Sequence, residues 1–118
     1  MRAIPSATPT TIVALGDKNS DGGGASHGYA IQYDPQQQHV LRLQFQQGPR
    51  GVAGSIPGIY TEDLLAIVED RLACFQAGPL ACDENDVALK AVRAAREALG
   101  LRATHRIAKG VLNTNERH

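Results

Sequence analysis

Apolar residues fall at every second position in two runs, Tyr29 to Tyr33 and Leu41 to Phe45. Tyr29, Ile31 and Tyr33 alternate with Ala30 and Gln32, and Leu41, Leu43 and Phe45 alternate with Arg42 and Gln44. A period of two is the mark of a half-buried strand. Asp34-Pro35 supplies turn chemistry between the two runs. The pattern predicts an antiparallel hairpin with one Gln-rich polar face. A lone hairpin is marginal in water, so it must pair further or pack on something. Upstream, "TTIVALG" (Thr10 to Gly16) is a single apolar run that suits another strand. The "DKNSDGGGASHG" that follows is loop by composition, because consecutive glycines lose too much entropy in a regular element. "GPRGVAGSIPGI" (Gly48 to Ile59) also reads as loop, with a short extended piece around Val52.

Beyond Ile59 the period lengthens. Thr61 suits a helix N-cap, and Glu62 and Asp63 fall in the first turn, where the helix dipole favours acids. Leu64, Ile67 or Val68, Leu72 and Phe75 make an apolar stripe, predicting a helix over Glu62 to Phe75. "QAGPLACD" breaks it. Asp83, with Asp86 three residues on, can cap a second helix from Glu84 to Ala108 that Gly110 stops. Two helices joined this closely are antiparallel neighbours. The second is rich in alanine, which allows close approach but buries little area. At about 25 cal/mol per Å² of apolar surface such a hairpin has a thin core, which predicts that it packs against copies of itself. Its stripe through Ala91 or Val92, Ala95 and Leu99 continues into Arg102 and Arg106, where carbon would be expected.

The chain has 118 residues and is 42% hydrophobic, but only 4% aromatic and without Trp, so large core fillers are scarce. These numbers suit a single domain over 1–118, with a β-rich part over 10–57, a helical hairpin over 61–110, and flexible ends at 1–9 and 112–118. The formal net charge is zero, which argues against a broad basic face for duplex nucleic acid but not against a local anion pocket. Cys74 and Cys82 are too few for a disulfide framework; their spacing across a turn permits one bridge, and reduced thiols are the plainer reading. The histidines are scattered and there is no CxxC, so no metal or other cofactor is expected. No apolar run approaches bilayer length, and the first residues lack a charged start followed by a continuous apolar stretch. A cytoplasmic protein without membrane partners is expected. There is no GxSxG, Walker-type loop or HExxH, and "SDGGG" resembles a phosphate loop by glycine content alone. No enzyme is expected.

Two constellations remain. Arg102 and Arg106 lie one turn apart; guanidinium forks match phosphate, and repulsion between them would be relieved by an anion. They could equally snorkel from a helix end. Phe75 and Asn85 flank the Gly-Pro break. An aromatic face can stack on a base and an amide can pair with a base edge, but a core Phe and a first-turn Asn have the same spacing.

Four strings in order, "LQFQQGP" (Leu43 to Pro49), "EDLLAIVEDRL" (Glu62 to Leu72), "FQAGPLACDEN" (Phe75 to Asn85) and "LRATHRIAKGV" (Leu101 to Val111), resemble the Thoeris anti-defence sponge family of phage proteins. That family shares a helical hairpin with the anti-CBASS sponges. The resemblance spans about Gly28 to Asn113 and implies an α+β fold: a small antiparallel sheet followed by a hairpin, assembled as dimers or hexamers. It also implies a function in the cytoplasm of an infected bacterium, namely holding cyclic nucleotide defence signals without chemistry. Those signals are cyclic ADP-ribose isomers, and in some members cyclic di- or trinucleotides. By the same resemblance Phe75 takes the place of the pocket aromatic in "FQxGPFxC" and Asn85 that of the asparagine in "REN". Arg50 takes that of an arginine after "GP", and Arg102 and Arg106 that of the "RTxxR" pair at a separate trinucleotide site. The chain departs from the family at Asp83, where Arg is common, at Leu80, where Phe is, and in "KGVLNTN" (Lys109 to Asn115). Ligand choice therefore stays open. The alternative function is a purely structural adaptor that only oligomerises.

Overall fold

The computed structural model describes residues 1–16, 24–34 and 36–108, the last seven as helix backbone. The described residues form two compact units, residues 1–59 and residues 60–108.

The first unit is a four-stranded antiparallel sheet in the order β1 (Arg2–Ile4), β2 (Thr11–Leu15), β3 (Gly28–Asp34), β4 (His39–Gln44). Cross-strand pairing puts Ile12 opposite Ile31, Ala14 and Leu43 opposite Tyr29, and Leu41 opposite Ile31. One face thus collects the alternating apolar residues, as a period of two requires. Tyr29 and Phe45 meet edge to face, ring centroids 5.6 Å apart. Ala14 is fully buried on this face. At the β3–β4 turn Asp34 accepts the Gln37 N–H at 3.2 Å, and Gln38 takes a positive φ of 57°. Pro35 and the glycine-bearing residues 17–23 lie outside the described residues. β1 arises within the lead expected to be flexible. Three residues flanked by a Pro carry no periodic signal, and only pairing with β2 defines them.

Residues 45–59 are ordered by backbone pairing rather than by a regular element. Phe45 bridges Ile59 in parallel and Gln47 bridges Ile56 antiparallel. Gly58 lies directly on the β4 extension: a Cβ there would stand 2.5 Å from the Phe45 carbonyl carbon and 2.7 Å from Gln46 N, and closer still to the Gln44 carbonyl oxygen. The expected extended piece around Val52 is instead a pair of tight turns, with Val52 N–H donating to Pro49 O at 3.3 Å and Ser55 N–H to Val52 O at 3.1 Å. Gly51 and Gly54 hold positive φ there, which a strand cannot accommodate.

The second unit is the hairpin of α1 (Thr61–Gln76) and α2 (Asp83–Ala108), whose helices pack on each other. Both caps lie one residue before the expected ones. α1 starts at Thr61, so Tyr60 is the N-cap, and its N–H is accepted by the Asp63 carboxylate at 2.8 Å. α2 starts at Asp83. Cys82 therefore caps it, accepting Asn85 N–H on Sγ at 3.4 Å and Asp86 N–H on its carbonyl at 3.1 Å. A thiol is not among the usual capping groups, so the hydroxyl-and-carboxylate rule passes over it.

On α2, Leu89 is buried and Val92, Ala95 and Leu99 are half-buried, while Ala91 is exposed. On α1, Ile67 and Val68 are 58% and 41% exposed, so they do not join the seam. Leu64, Leu65, Glu69 and Leu72 are half-buried instead. Glu69, with its side chain 25% exposed, reaches across to Arg96 at 2.9 Å and lies 3.9 Å from Arg93. No described large side chain is fully buried, in keeping with a small, alanine-rich chain. No helix of the described residues is long and apolar enough to cross a membrane.

Candidate functional site

Phe75 stands in the last turn of α1, half-buried. Arg71, one turn earlier, holds its guanidinium carbon 5.2 Å from the ring centroid. That is a cation–π stack at the i,i+4 spacing that makes helix neighbours. The four-residue spacing of Arg71 and Phe75 on one helix is the signal in the sequence that points to it.

Beyond Phe75 the Gly-Pro break is tied at several points. Gly78 N–H donates to Phe75 O at 3.1 Å, and Ala77 N–H to Ala73 O at 3.1 Å, closing α1. Gln76 Oε1 accepts Cys82 N–H at 2.9 Å, which joins the end of α1 to the start of α2. Asn85 Nδ2 donates to Leu80 O at 3.2 Å, bracing the turn from the other side. Its Oδ1 accepts no hydrogen bond among the described residues. Phe75 and Asn85 thus belong to the same end of the hairpin, the aromatic on one helix and the amide on the other. Leu80, between them, is 63% exposed.

Asp83 and Glu84 are exposed acids of the first α2 turn, and Asp86 pairs with Lys90 at 2.8 Å. These acids complement the positive end of the helix dipole. Arg50 belongs to the sheet-bearing unit. Its Nη2 donates to Gly58 O at 2.7 Å, so the guanidinium is anchored to the loop that Gly58 packs against β4. Arg102 and Arg106 lie on α2 in register with Val92, Ala95 and Leu99, but their side chains are outside the described residues.

Residues 37–104 match the family model described as the Acb2/Tad1 hairpin domain. The chain belongs to this family. The match runs from the β3–β4 turn through β4, the bridged loop and α1 into α2, so it includes Arg50, Phe75, Asn85 and Arg102. A protein of Bacillus phage SBSphiJ7, Thoeris anti-defense 1, is 36% identical over 78 residues, which is 66% of this chain. The chain spans about half of that relative, 54% of its length. At one end of this Acb2/Tad1 hairpin stand a ring, a stacked guanidinium and an amide whose Oδ1 accepts no hydrogen bond from the described residues. This is a set of groups suited to a base and its phosphates.

Proposed function

We propose that the protein binds cyclic nucleotide defence signals and holds them intact, so that a phage escapes the response they would trigger. The observation that carries this reading is membership of the Acb2/Tad1 hairpin family over the segment holding Phe75 and Asn85. The name of the phage relative, an anti-defence protein against Thoeris, points the same way. In this reading Phe75 stacks on a base or clamps the ligand, Asn85 hydrogen-bonds its edge through Oδ1, and Arg50 meets a phosphate. Arg71, already on one face of the ring, supplies a positive charge beside the stacked base. Arg102 and Arg106, gathered from several copies, hold a second, larger cyclic polyanion. The ligands are cyclic ADP-ribose isomers and cyclic di- or trinucleotides, with the trinucleotides at the arginine pair. Sequestration must outcompete an effector, which calls for nanomolar affinity, about −12 kcal/mol. An enclosed pocket of that quality is most readily built between protomers, so the chain acts as a homo-oligomer in the host cytoplasm.

The test is retention and release. The protein is incubated with cyclic ADP-ribose isomers and with cyclic di- and trinucleotides, filtered, heat-denatured, and the filtrate analysed by mass spectrometry. Return of intact ligand is expected. Return of a hydrolysed product would make the protein an enzyme, and retention of nothing would leave an oligomerising adaptor. Phe75→Ala should weaken retention of the smaller ring roughly 10- to 100-fold, since stacking on one base contributes about 1–3 kcal/mol.

A further inference from the structure

Phe75 and Asn85 can act on one ligand only if the end of α1 and the start of α2 keep a set separation. Binding groups work together when each is held in place by its own supporting bonds. The backbone of the Gly-Pro break supplies little of that support. Gly78 N–H donates to Phe75 O at 3.1 Å and Ala81 N–H to Gly78 O at 3.3 Å. Each bond reaches three residues back along the chain and closes a local turn, so neither ties α2 to α1.

Gln76 does. It is the half-buried last residue of α1. It follows Glu69 and Leu72 at steps of three and four, so it continues the side of α1 from which Glu69 reaches Arg96 on α2. Its Oε1 accepts Cys82 N–H at 2.9 Å, six residues further on. Cys82 in turn holds the first turn of α2: its Sγ accepts Asn85 N–H at 3.4 Å and its carbonyl accepts Asp86 N–H at 3.1 Å. Asn85 Nδ2 donates to Leu80 O at 3.2 Å. A series of hydrogen bonds therefore runs from the residue beside the ring on α1 to the amide on α2.

We infer that Gln76 is a positioning residue of the proposed ligand site: its bond to Cys82 N–H holds Asn85 at a set distance from Phe75. The ligand in this inference is that of the proposed function; the positioning itself rests on the hydrogen bonds. With the bond in place, the arrangement that suits a stacked and hydrogen-bonded base dominates. Without it, that arrangement competes with others in which Cys82 and the first turn of α2 swing away. One net hydrogen bond shifts such a balance about 5- to 10-fold, and apparent affinity falls with the competent fraction. Gln76 acts through Asn85 and not on the ligand, so its effect vanishes once the Asn85 amide is gone.

The test uses the full chain. Gln76→Met keeps the length and helix propensity of the side chain and removes the acceptor oxygen. Gln76→Asn keeps the amide one methylene too short to reach. Gln76→Glu keeps an acceptor oxygen at full length. Far-UV circular dichroism confirms that each variant is folded. By equilibrium dialysis against cyclic ADP-ribose isomers, Gln76→Met and Gln76→Asn should bind about 5- to 10-fold more weakly than wild type. Gln76→Glu should recover the affinity when compared with wild type at high salt, where its added charge is screened. In an Asn85→Ala background Gln76→Met should bring no further loss. Amide hydrogen exchange, read by mass spectrometry over residues 81–86, should be faster in Gln76→Met because Cys82 and Asn85 N–H lose protection. Unchanged affinity in a folded Gln76→Met, an equal loss in the Asn85→Ala background, no recovery in Gln76→Glu, or unchanged exchange would each overturn the inference. A wild-type protein that retains no cyclic nucleotide would sink sequestration, and the exchange measurement would still decide the positioning: faster exchange in Gln76→Met upholds it and unchanged exchange refutes it.

Discussion

Adding one methyl group at Gly58 should disrupt the loop that anchors Arg50. The new carbon of Gly58→Ala would stand 2.5 Å from the Phe45 carbonyl carbon and 2.7 Å from Gln46 N. Ordinary contact is about 3.5 Å, so the two backbones must part by roughly an ångström. They are joined by Gln46 N–H to Ile59 O at 2.8 Å, Ile59 N–H to Gln44 O at 2.9 Å, and Gly58 N–H to Gln46 Oε1 at 3.1 Å. An ångström of separation breaks bonds of this length. At about 1 kcal/mol net for each of the three bonds, with overpacking strain of about 1–3 kcal/mol, the loss is roughly 4–6 kcal/mol. Arg50 loses its hold as well, because its acceptor is the Gly58 carbonyl. Thermal melting followed by circular dichroism reads the effect; each kcal/mol moves Tm by roughly 4–8 °C in a small domain. Gly54→Ala is the internal comparison. Nothing lies within 4 Å of its Cβ position, but its φ is +86°, so only the left-handed penalty of about 1–2 kcal/mol applies. A Gly58→Ala protein melting as high as Gly54→Ala would refute the close-approach argument.

Gly100→Ala should stabilise α2 by about 1 kcal/mol, because the position is helical with nothing within 4 Å of the added carbon and alanine is the better helix former; an unchanged or lowered Tm would contradict it. Glu69→Gln removes the charge that Arg96 and Arg93 share and should cost about 1 kcal/mol in urea denaturation, discounted for partial exposure, with the gap closing at high salt. A gap that is absent at low salt would show that the bridge contributes nothing. Asn85→Ala should lower stability by at most about 1 kcal/mol through its exposed bond to Leu80 O, yet cut retention of cyclic ADP-ribose isomers about tenfold or more. Equal retention by equilibrium dialysis would remove Asn85 from the site.

Local periodicity determined most of the elements without help. The strands at Thr11–Leu15, Gly28–Asp34 and His39–Gln44 and both helices follow from residues close in sequence, because a period of two or 3.6 is set within a few turns of chain. The residues proposed for the site, Phe75, Asn85 and Arg50, are picked out by the order of residue types in a familiar family rather than by periodicity. Tertiary structure decided what depends on contacts distant in sequence or on geometry that patterning ignores. β1 exists because β2 offers it a partner. Gly58 must be glycine because β4's extension passes against it. Val92 rather than Ala91 is half-buried on α2, while Ile67 and Val68 stay exposed on α1 and Glu69 reaches across to two arginines of α2. Cys82, not Asp83, caps α2, since a one-residue shift in where a helix starts is settled by how the Gly-Pro turn closes. Periodicity finds the apolar face of a helix, but an alanine-rich helix carries two such faces. Only packing against α1 shows which one the chain uses for itself and which it leaves exposed.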